Sequence, residues 1–163
     1  MSRVDLPAEI PTIKCEGMER VEAAADLTYQ HVMDARKRIE PYVHCTTVLT
    51  SSYLNKRIGA ELFFKCENFQ KAGAFKVRGA CNAVFGLSDL EAQSGVATHS
   101  SGNHALSLSY AAGRRGIPCH VVMPRTAPQA KKDAVAGYGG LITECEPSTS
   151  SREAVFGQLQ AQT

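Results

Sequence analysis

The most constraining feature of the sequence is the alternation of strand-like and helix-like segments after residue 95. Buried strands are indicated by short apolar runs at residues 96–99, 119–123 and 141–145. Helices are predicted at residues 104–115 (closed by Gly116), at 126–138 (capped from Thr126) and from 150 onward (capped from Ser150). Strands that alternate with helices through short connections predict a parallel sheet. We therefore expect residues 96–163 to form a βαβαβα unit of an α/β fold.

The preceding part of the chain has a less regular pattern. Residues 19–40 predict an amphipathic helix, with Val32 and Ile39 on its apolar face, that Pro41 ends. Four shorter elements follow, namely strands at residues 44–50 and 61–66, a helix at 77–87 and a capping box at 88–91.

Composition excludes several classes of function. The 163 residues are 44% hydrophobic and 21% charged, as in a globular protein. A formal net charge of +2 gives no footprint for nucleic-acid binding. No secretory signal is visible and no apolar run approaches the roughly 18 residues of a membrane span, so we expect no membrane partner and a cytoplasmic location. The six cysteines are scattered singly, which favours reduced thiols over a metal site or a disulfide framework.

The first candidate for chemistry is Lys76, within the lysine-containing residues 71–79. A lysine amine attacks an aldehyde only when part of its population is uncharged. Desolvation beside Phe75 and repulsion from Lys71 and Arg78 would favour that state. The positive end of the predicted helix would act in the same direction. The alternative is a solvated surface charge, which is what most lysines are.

The second candidate is the polar loop THSSGNH at residues 98–104, between a predicted strand and a predicted helix. Ligands of parallel sheets bind outside the carboxyl ends of strands, where the next helix presents free N–H groups to anions. Gly102 lets the backbone approach a ligand closely. Hydroxyl, amide and imidazole groups come from Ser100, Ser101, Asn103 and His104. The alternative is a loop whose Ser and Asn side chains only cap the helix.

Together, these two segments resemble a known family. The sequence ENFQKAGAFKVRGA at residues 67–80 resembles the cofactor-lysine segment of the serine racemase and serine/threonine dehydratase family. Residues 98–104 resemble its substrate-carboxylate loop. The resemblance implies a parallel-sheet, three-layer αβα fold, the tryptophan synthase β-like fold (fold type II) of pyridoxal-phosphate enzymes. It also implies that residues 1–95 are the N-terminal part of the large domain and that residues 96–163 are most of the small βαβ domain.

The resemblance further implies a role for individual residues. Lys76 matches the lysine that holds pyridoxal 5'-phosphate as a Schiff base and moves the substrate α-proton on one face. Ser101 matches the acid/base on the opposite face in racemases, where typical threonine dehydratases have alanine. Phe75 matches the residue packed beside the cofactor, and Asn103 the one that hydrogen-bonds its phenolic oxygen. The substrate carboxylate would lie against Ser100, Ser101, Gly102, Asn103 and His104.

The implied activity is racemisation of serine and dehydration of L-serine, and of L-threonine to a lesser degree, with serine deaminated to pyruvate and ammonia. The implied partners are a small amino acid and, in the full-length form, a second subunit of a homodimer. Mg²⁺ and ATP are the implied effectors, although no metal ligand is assigned in this chain. The nucleotide contacts of animal relatives match Ser51, Ser52, Lys71, Lys131 and Tyr138.

The family's glycine-rich phosphate loop lies further along the chain than Thr163. We therefore expect these residues to be the N-terminal half of such an enzyme, with little or no turnover by themselves. One alternative is a catalytically inactive truncated paralogue that acts as a binding or dimer-partner module. A cysteine-synthase-like β-replacement enzyme fits the loop after residue 96 less well, and a serine hydrolase would need a G-x-S-x-G elbow that the sequence lacks.

Overall fold

The structure is a computed structural model that describes residues 27–161. In chain order the elements are α1 (Tyr29–Ile39), β1 (Val48–Leu49), α2 (Ser52–Ile58), β2 (Phe64–Lys65), α3 (Lys76–Gly86), α4 (Asp89–Gln93), β3 (Val96–His99), α5 (Asn103–Arg115), β4 (Cys119–Pro124), α6 (Gln129–Gly137), β5 (Leu141–Cys145) and α7 (Thr149–Gln160). Short 3-10 turns lie at Glu40–Tyr42, Glu67–Phe69 and Lys71–Gly73. None of the helices in this described range has both the length and the apolar composition needed to cross a bilayer.

A three-stranded parallel sheet in the order β3-β4-β5 forms the second part of the chain. Val121 and Val122 of β4 point to opposite faces of the sheet, and both are fully buried, so helices cover both faces. Helices α5 and α6 pack against each other and against the sheet, while α7 contacts all three strands from the other face. The predicted βαβαβα unit and its three αβα layers are confirmed.

The hydrophobic core lies where α3 packs on α5. Helix α3 buries residues at helical spacing, namely Val77, Ala80, Cys81 and Val84. Helix α5 faces them with small side chains such as Ala105 and Ala111, which allow the two helices to approach closely. The predicted helix at residues 77–87 is therefore confirmed. The domain boundary at residue 95 stays a prediction, and the α3–α5 contact crosses it.

The two predicted strands before residue 70 are shorter than expected. Only Val48–Leu49 and Phe64–Lys65 pair, in antiparallel register. The backbone of His44, within the first predicted strand, is instead hydrogen-bonded by the side chain of Gln70. A side-chain amide has thus replaced the neighbouring strand there, and the ladder is limited to two residues on each side.

The first predicted helix is also shorter than the pattern of residues 19–40 indicated. Helix α1 begins only after Thr28, whose extended backbone (φ −100°, ψ 161°) and side chain form its N-terminal cap. Residues 19–26 lie outside the described range. Ile39 is buried as expected, but Val32 is 53% exposed, so only the end of the predicted apolar face reaches the core.

Helix caps were predicted with mixed success. The capping box of Ser88 and Glu91 and the closure of α5 by Gly116, at φ 75°, are confirmed. No side chain caps α6, so the cap predicted from Thr126 is wrong. Helix α7 is capped by Ser148 instead of Ser150, because the Ser148 hydroxyl reaches a free N–H of the first turn.

Gly140 provides a test of core packing. A Cβ at this position would lie 2.5 Å from Oγ of Ser109 and 2.6 Å from Cγ1 of Val135. We expect Gly140→Ala to lower the free energy of unfolding by about 1–3 kcal/mol in urea denaturation, because the core must shift to admit the methyl group. Gly137→Ala is the matched control, since nothing lies within 4 Å of its Cβ position. Equal losses in both variants would contradict this account.

Candidate functional site

Lys76 is the first residue of α3, as the sequence predicted. Phe75 precedes it with a helical backbone (φ −58°, ψ −22°). Because the buried stripe of α3 begins with Val77, the side chain of Lys76 falls outside that stripe and is exposed. Its Nζ lies 5.3 Å from the centroid of the Phe75 ring. Lys76 is therefore an accessible primary amine at the positive end of a helix.

The surroundings of Lys76 differ from those expected in two respects. Phe75 is 59% exposed, so its ring does not bury the Lys76 amine. Arg78 forms an ion pair with Glu67 at 2.7 Å, so it is not the unpaired charge that the expected repulsion assumed. The expected burial of Lys76 beside Phe75 is therefore wrong.

Glu67 is the centre of a hydrogen-bond network behind Lys76. The Arg78 guanidinium donates two parallel hydrogen bonds to the Glu67 carboxylate, Nε to Oε2 at 2.8 Å and Nη2 to Oε1 at 2.7 Å. The Thr46 hydroxyl donates to the same carboxylate at 2.5 Å. These bonds, chiefly those from Arg78, lower the pKa of Glu67 from 4.5 to about 2, and the pairing raises the pKa of Arg78.

Gln70 extends this network to the backbone of His44. Its side-chain oxygen accepts from the N–H groups of His44 and Lys71, both at 2.8 Å, and its amide nitrogen donates to the His44 carbonyl at 2.8 Å. Arg78 Nη2 donates to that carbonyl too, at 3.2 Å. We call the side chains of Thr46, Glu67, Gln70 and Arg78 the Glu67 clamp.

No role for the Glu67 clamp was predicted from the sequence, although three of its members lie in the motif at residues 67–80. The only signal in the sequence was the presence of a glutamate and an arginine in that motif. Glu67 and Arg78 are eleven residues apart, further than the three or four residues at which side chains on one helix meet, so the sequence did not show that they pair.

The loop between β3 and α5 leaves the helix N-terminus open. Gly102 takes the N-cap position in an extended conformation (φ −128°, ψ −152°), and no side chain caps α5. Its own N–H donates to the Ser100 hydroxyl at 3.3 Å. The alternative that the loop's Ser and Asn only cap the helix is therefore wrong. The first N–H groups of α5 are free to bind an anion.

The polar side chains of this loop are available to a ligand. Within the described part of the chain, the side chains of Ser101, Asn103 and His104 make no hydrogen bond, and nothing lies within 4 Å of the Cβ position of Gly102. Helix α5, which begins at Asn103, packs on α3 and on the Lys71–Gly73 turn just before Lys76. The two motif segments are thus carried by helices in direct contact.

The five residues matched to nucleotide contacts are spread over separate elements. Ser51 caps α2 through its hydroxyl, Ser52 begins that helix, and Lys71 lies in the 3-10 turn. Lys131 is on α6, and Tyr138 follows it. Among residues 27–161, no hydrogen bond or ion pair joins any two of these five, and no group of three or more His, Cys, Asp or Glu residues could hold a metal ion. Their nucleotide role stays a prediction.

A separate cleft lies between α1 and α3. Its volume is about 650 Å³, and its lining includes Arg36, Cys45 and Arg78. None of the predicted site residues lines it. It shares only Arg78 with the Glu67 clamp.

Comparison with protein families decides the class of the protein. The family model described as pyridoxal-phosphate dependent enzyme matches residues 39–163. This stretch contains Lys76 and the whole loop before α5. The chain belongs to the pyridoxal-phosphate-dependent enzyme family. The prediction made from residues 67–80 and 98–104 is confirmed at this level.

Individual relatives refine the comparison. The chain is 68% identical over 136 residues to the β-hydroxyaspartate dehydratase of Paracoccus denitrificans, covering 83% of this chain and 43% of that protein. It is 50% identical over 139 residues to the serine racemase of Dictyostelium discoideum, covering 85% and 43%. The chain thus spans less than half the length of these curated relatives.

A solved structure supports the same fold. The structure of maize serine racemase matches with a TM-score of 0.79 and 50% identity, covering 82% of this chain and 41% of that one. The predicted fold type II architecture of pyridoxal-phosphate enzymes is therefore confirmed for the part of the fold that this chain represents.

The lowered pKa of Glu67 predicts an acid-sensitive stability. The unfolded chain takes up this proton near pH 4.5 and the folded chain only near pH 2, so the free energy of unfolding falls as the pH drops through that interval. We expect Glu67→Gln to remove this part of the pH dependence in urea denaturation. Arg78→Gln should do the same, because its hydrogen bonds are the main cause of the shift. If the free energy of unfolding of both variants fell with pH as steeply as that of the wild type, Glu67 would not be the cause of the acid sensitivity.

Proposed function

We propose that the chain provides the cofactor lysine and the substrate-carboxylate loop of a pyridoxal-phosphate-dependent dehydratase acting on a β-hydroxy-α-amino acid. One observation supports this most directly. The exposed amine of Lys76 begins a helix that packs against α5, whose N-terminus is uncapped and carries free hydroxyl, amide and imidazole groups. An amine for an aldehyde and a site for a carboxylate are the two groups this chemistry requires.

The residues present fit the cofactor. Lys76 offers an accessible primary amine, the exposed Phe75 ring lies beside it, and the Asn103 amide is free to donate a hydrogen bond. Pyridoxal phosphate, when bound, supplies an electron sink for the negative charge that develops at the substrate α-carbon. We propose that Lys76 holds the cofactor aldehyde and that Asn103 orients the ring through its phenolic oxygen.

The loop and Lys76 would then divide the work on the substrate. The free N–H groups at the start of α5, with Ser100, Gly102 and His104, bind the α-carboxylate. Once the substrate amine has replaced Lys76 on the cofactor aldehyde, the freed Lys76 amine would remove the α-proton and pass it to the β-hydroxyl, which would leave as water. The released enamine rearranges to an imine, and hydrolysis gives a 2-oxo acid and ammonia. The water lost in the elimination equals the water used in that hydrolysis.

We propose β-hydroxyaspartate as the preferred substrate, with oxaloacetate and ammonia as products. The relative that acts on it by name shares 68% of the aligned residues with this chain, against 50% for the serine racemase of Dictyostelium. This refines the expectation of serine and threonine, which came from the motifs alone.

Serine racemisation with dehydration to pyruvate and ammonia is the second candidate, with threonine as a lesser substrate. The observation that favours it is Ser101, whose half-buried hydroxyl makes no hydrogen bond to the described residues. A hydroxyl on the face opposite Lys76 could return a proton to the α-carbon, which a site with one base does not do.

Other parts of the prediction remain proposals. We propose that residues 1–95 belong to the large domain and residues 96–163 to the small one, and that the natural polypeptide forms a homodimer in the cytoplasm. Regulation by Mg²⁺ and ATP is proposed on the resemblance alone. The non-catalytic alternative, a binding or dimer-partner module, is distinguished by the first experiment below.

Covalent attachment of the cofactor is the first test. We expect incubation with pyridoxal phosphate and reduction with borohydride to label the peptide that contains Lys76, detected by mass spectrometry. Lys76→Ala should abolish this label, because the amine is its attachment point. Lys56→Ala, at an exposed lysine of α2, is the matched control and should retain it. Labelling spread over surface lysines and independent of Lys76 would support the non-catalytic module.

The choice of substrate is the second test. In the natural polypeptide carrying this sequence, we expect kcat/KM to be on the order of tenfold or more higher for β-hydroxyaspartate than for serine. The reason is that serine lacks the second carboxylate, which β-hydroxyaspartate carries on its β-carbon. Ammonia, oxaloacetate, pyruvate and D-serine are measured side by side. Faster turnover of serine, with D-serine formation that Ser101→Ala abolishes, would favour the second candidate.

A further inference from the structure

We propose that the Glu67 clamp is the positioning device for the Lys76 amine, with Glu67 as its central positioning residue. The inference rests on the proposed role of Lys76 in holding the cofactor. It adds a function for side chains to which the proposed chemistry assigns no role.

The geometry supports this role because the clamp fixes the chain on both sides of Lys76. On the N-terminal side of Lys76, the Gln70 side chain accepts a hydrogen bond from the N–H of Lys71. On the C-terminal side, Arg78, two residues after Lys76, is bound to Glu67. Between these two anchors the chain passes through Ala72, whose left-handed backbone (φ 57°) costs energy for a residue with a Cβ. The surrounding bonds must hold this conformation.

Lys76 itself contributes little to its own placement. Within the described residues its amine makes no hydrogen bond or ion pair, and its one aromatic contact is with the adjacent Phe75. Its position is therefore set by the backbone at the start of α3. A bidentate guanidinium–carboxylate pair fixes orientation as well as distance, which a single hydrogen bond does not.

The clamp also connects this segment to a distant part of the chain. Thr46 is buried and donates to Glu67, and the His44 carbonyl accepts from both Gln70 and Arg78. Gln70 is only 4% exposed, so its three hydrogen bonds are shielded from water. Loss of Glu67 would leave Arg78 with a single bond, at 3.2 Å, to this anchor.

The experiment compares cofactor affinity with stability. Pyridoxal phosphate is titrated into the natural polypeptide and into its Glu67→Gln and Arg78→Lys variants, with the visible absorption of lysine-bound cofactor as the readout. A misplacement of about 1 Å can lower the rate of a reaction between positioned groups on the order of a hundredfold. Since a misplaced amine attacks the cofactor aldehyde less readily, we expect each variant to bind the cofactor on the order of tenfold or more weakly. Borohydride labelling of Lys76 at a fixed cofactor concentration should fall in parallel.

The matched control is Glu144→Gln. Glu144 accepts from Lys132 at 2.6 Å, in an ion pair that lies between α6 and β5. We expect this variant to bind the cofactor within about twofold of the wild type, because the pair joins α6 to β5 and includes no residue of the Glu67 clamp. Thermal unfolding of all variants, followed by circular dichroism, separates stability from affinity.

A double variant tests whether the two clamp residues act as a pair. If Glu67 positions Lys76 through Arg78, Glu67→Gln combined with Arg78→Lys should weaken binding no more than the larger of the two single changes. Losses of affinity that multiply in the double variant would overturn the proposed coupling.

A further variant is needed if Glu67→Gln fails to fold, and Thr46→Val then tests the proposal in its place. It removes one hydrogen bond at nearly constant shape and should weaken binding by about fivefold, and unchanged binding would overturn the proposal.

The outcomes also separate this inference from the proposed function. Wild-type labelling at Lys76, with full cofactor affinity in Glu67→Gln and a lowered melting temperature, would make the clamp a stabilising feature only. The proposed function would then stand without it. Absence of label at Lys76 in the wild type would remove both.

Discussion

The Arg78 guanidinium connects parts of the chain that the sequence keeps apart. Its Nε and Nη2 atoms donate the two parallel hydrogen bonds to Glu67, and Nη2 also donates to the His44 carbonyl. Through these bonds, and those of Gln70, the segment before β1 and the turn at Glu67–Phe69 are held against the first turn of α3. The position of Lys76 depends on this arrangement more than on any contact of its own.

The second half of the chain provides the other part of the site by simpler means. A mostly buried central strand, β4, with helices on both faces fixes where β3 ends and α5 begins. The geometry of any helix leaves its first N–H groups without partners, and Gly102 adds no side chain that would cover them. The uncapped N-terminus of α5 therefore follows from the sheet topology and from Gly102. The close contact of α3 with α5 joins it to the lysine segment.

The sequence was most reliable where one local pattern decides the structure. The parallel unit after residue 95 was predicted correctly because apolar strands and amphipathic helices have different periods. Gly116 and the capping box of Ser88 were confirmed for the same reason, since the residues of a cap lie within one helical turn. The motif at residues 67–80 indicated the family, and the comparisons confirmed it.

The errors arose where distant residues compete for the same groups. Residues 44–50 have strand composition, yet the Gln70 side chain takes the hydrogen bonds of His44 that a neighbouring strand would have made. The expected repulsion between Arg78 and Lys76 left out Glu67, the ion-pair partner of Arg78. Glu67 is 11 residues from Arg78 in the sequence, and that separation does not tell how far apart the two side chains lie in space. The choice between Ser148 and Ser150 as cap was equally open in a serine-rich segment.

The sequence by itself thus determined the strand–helix order, the family and the residue types available for chemistry, because these depend on local periodicity and motif. Only the tertiary structure decided which charges neutralise one another, that Lys76 is exposed, and that the N-terminus of α5 is uncapped. Hydrogen bonds and ion pairs act over a few ångströms, and folding alone determines which side chains come within that distance.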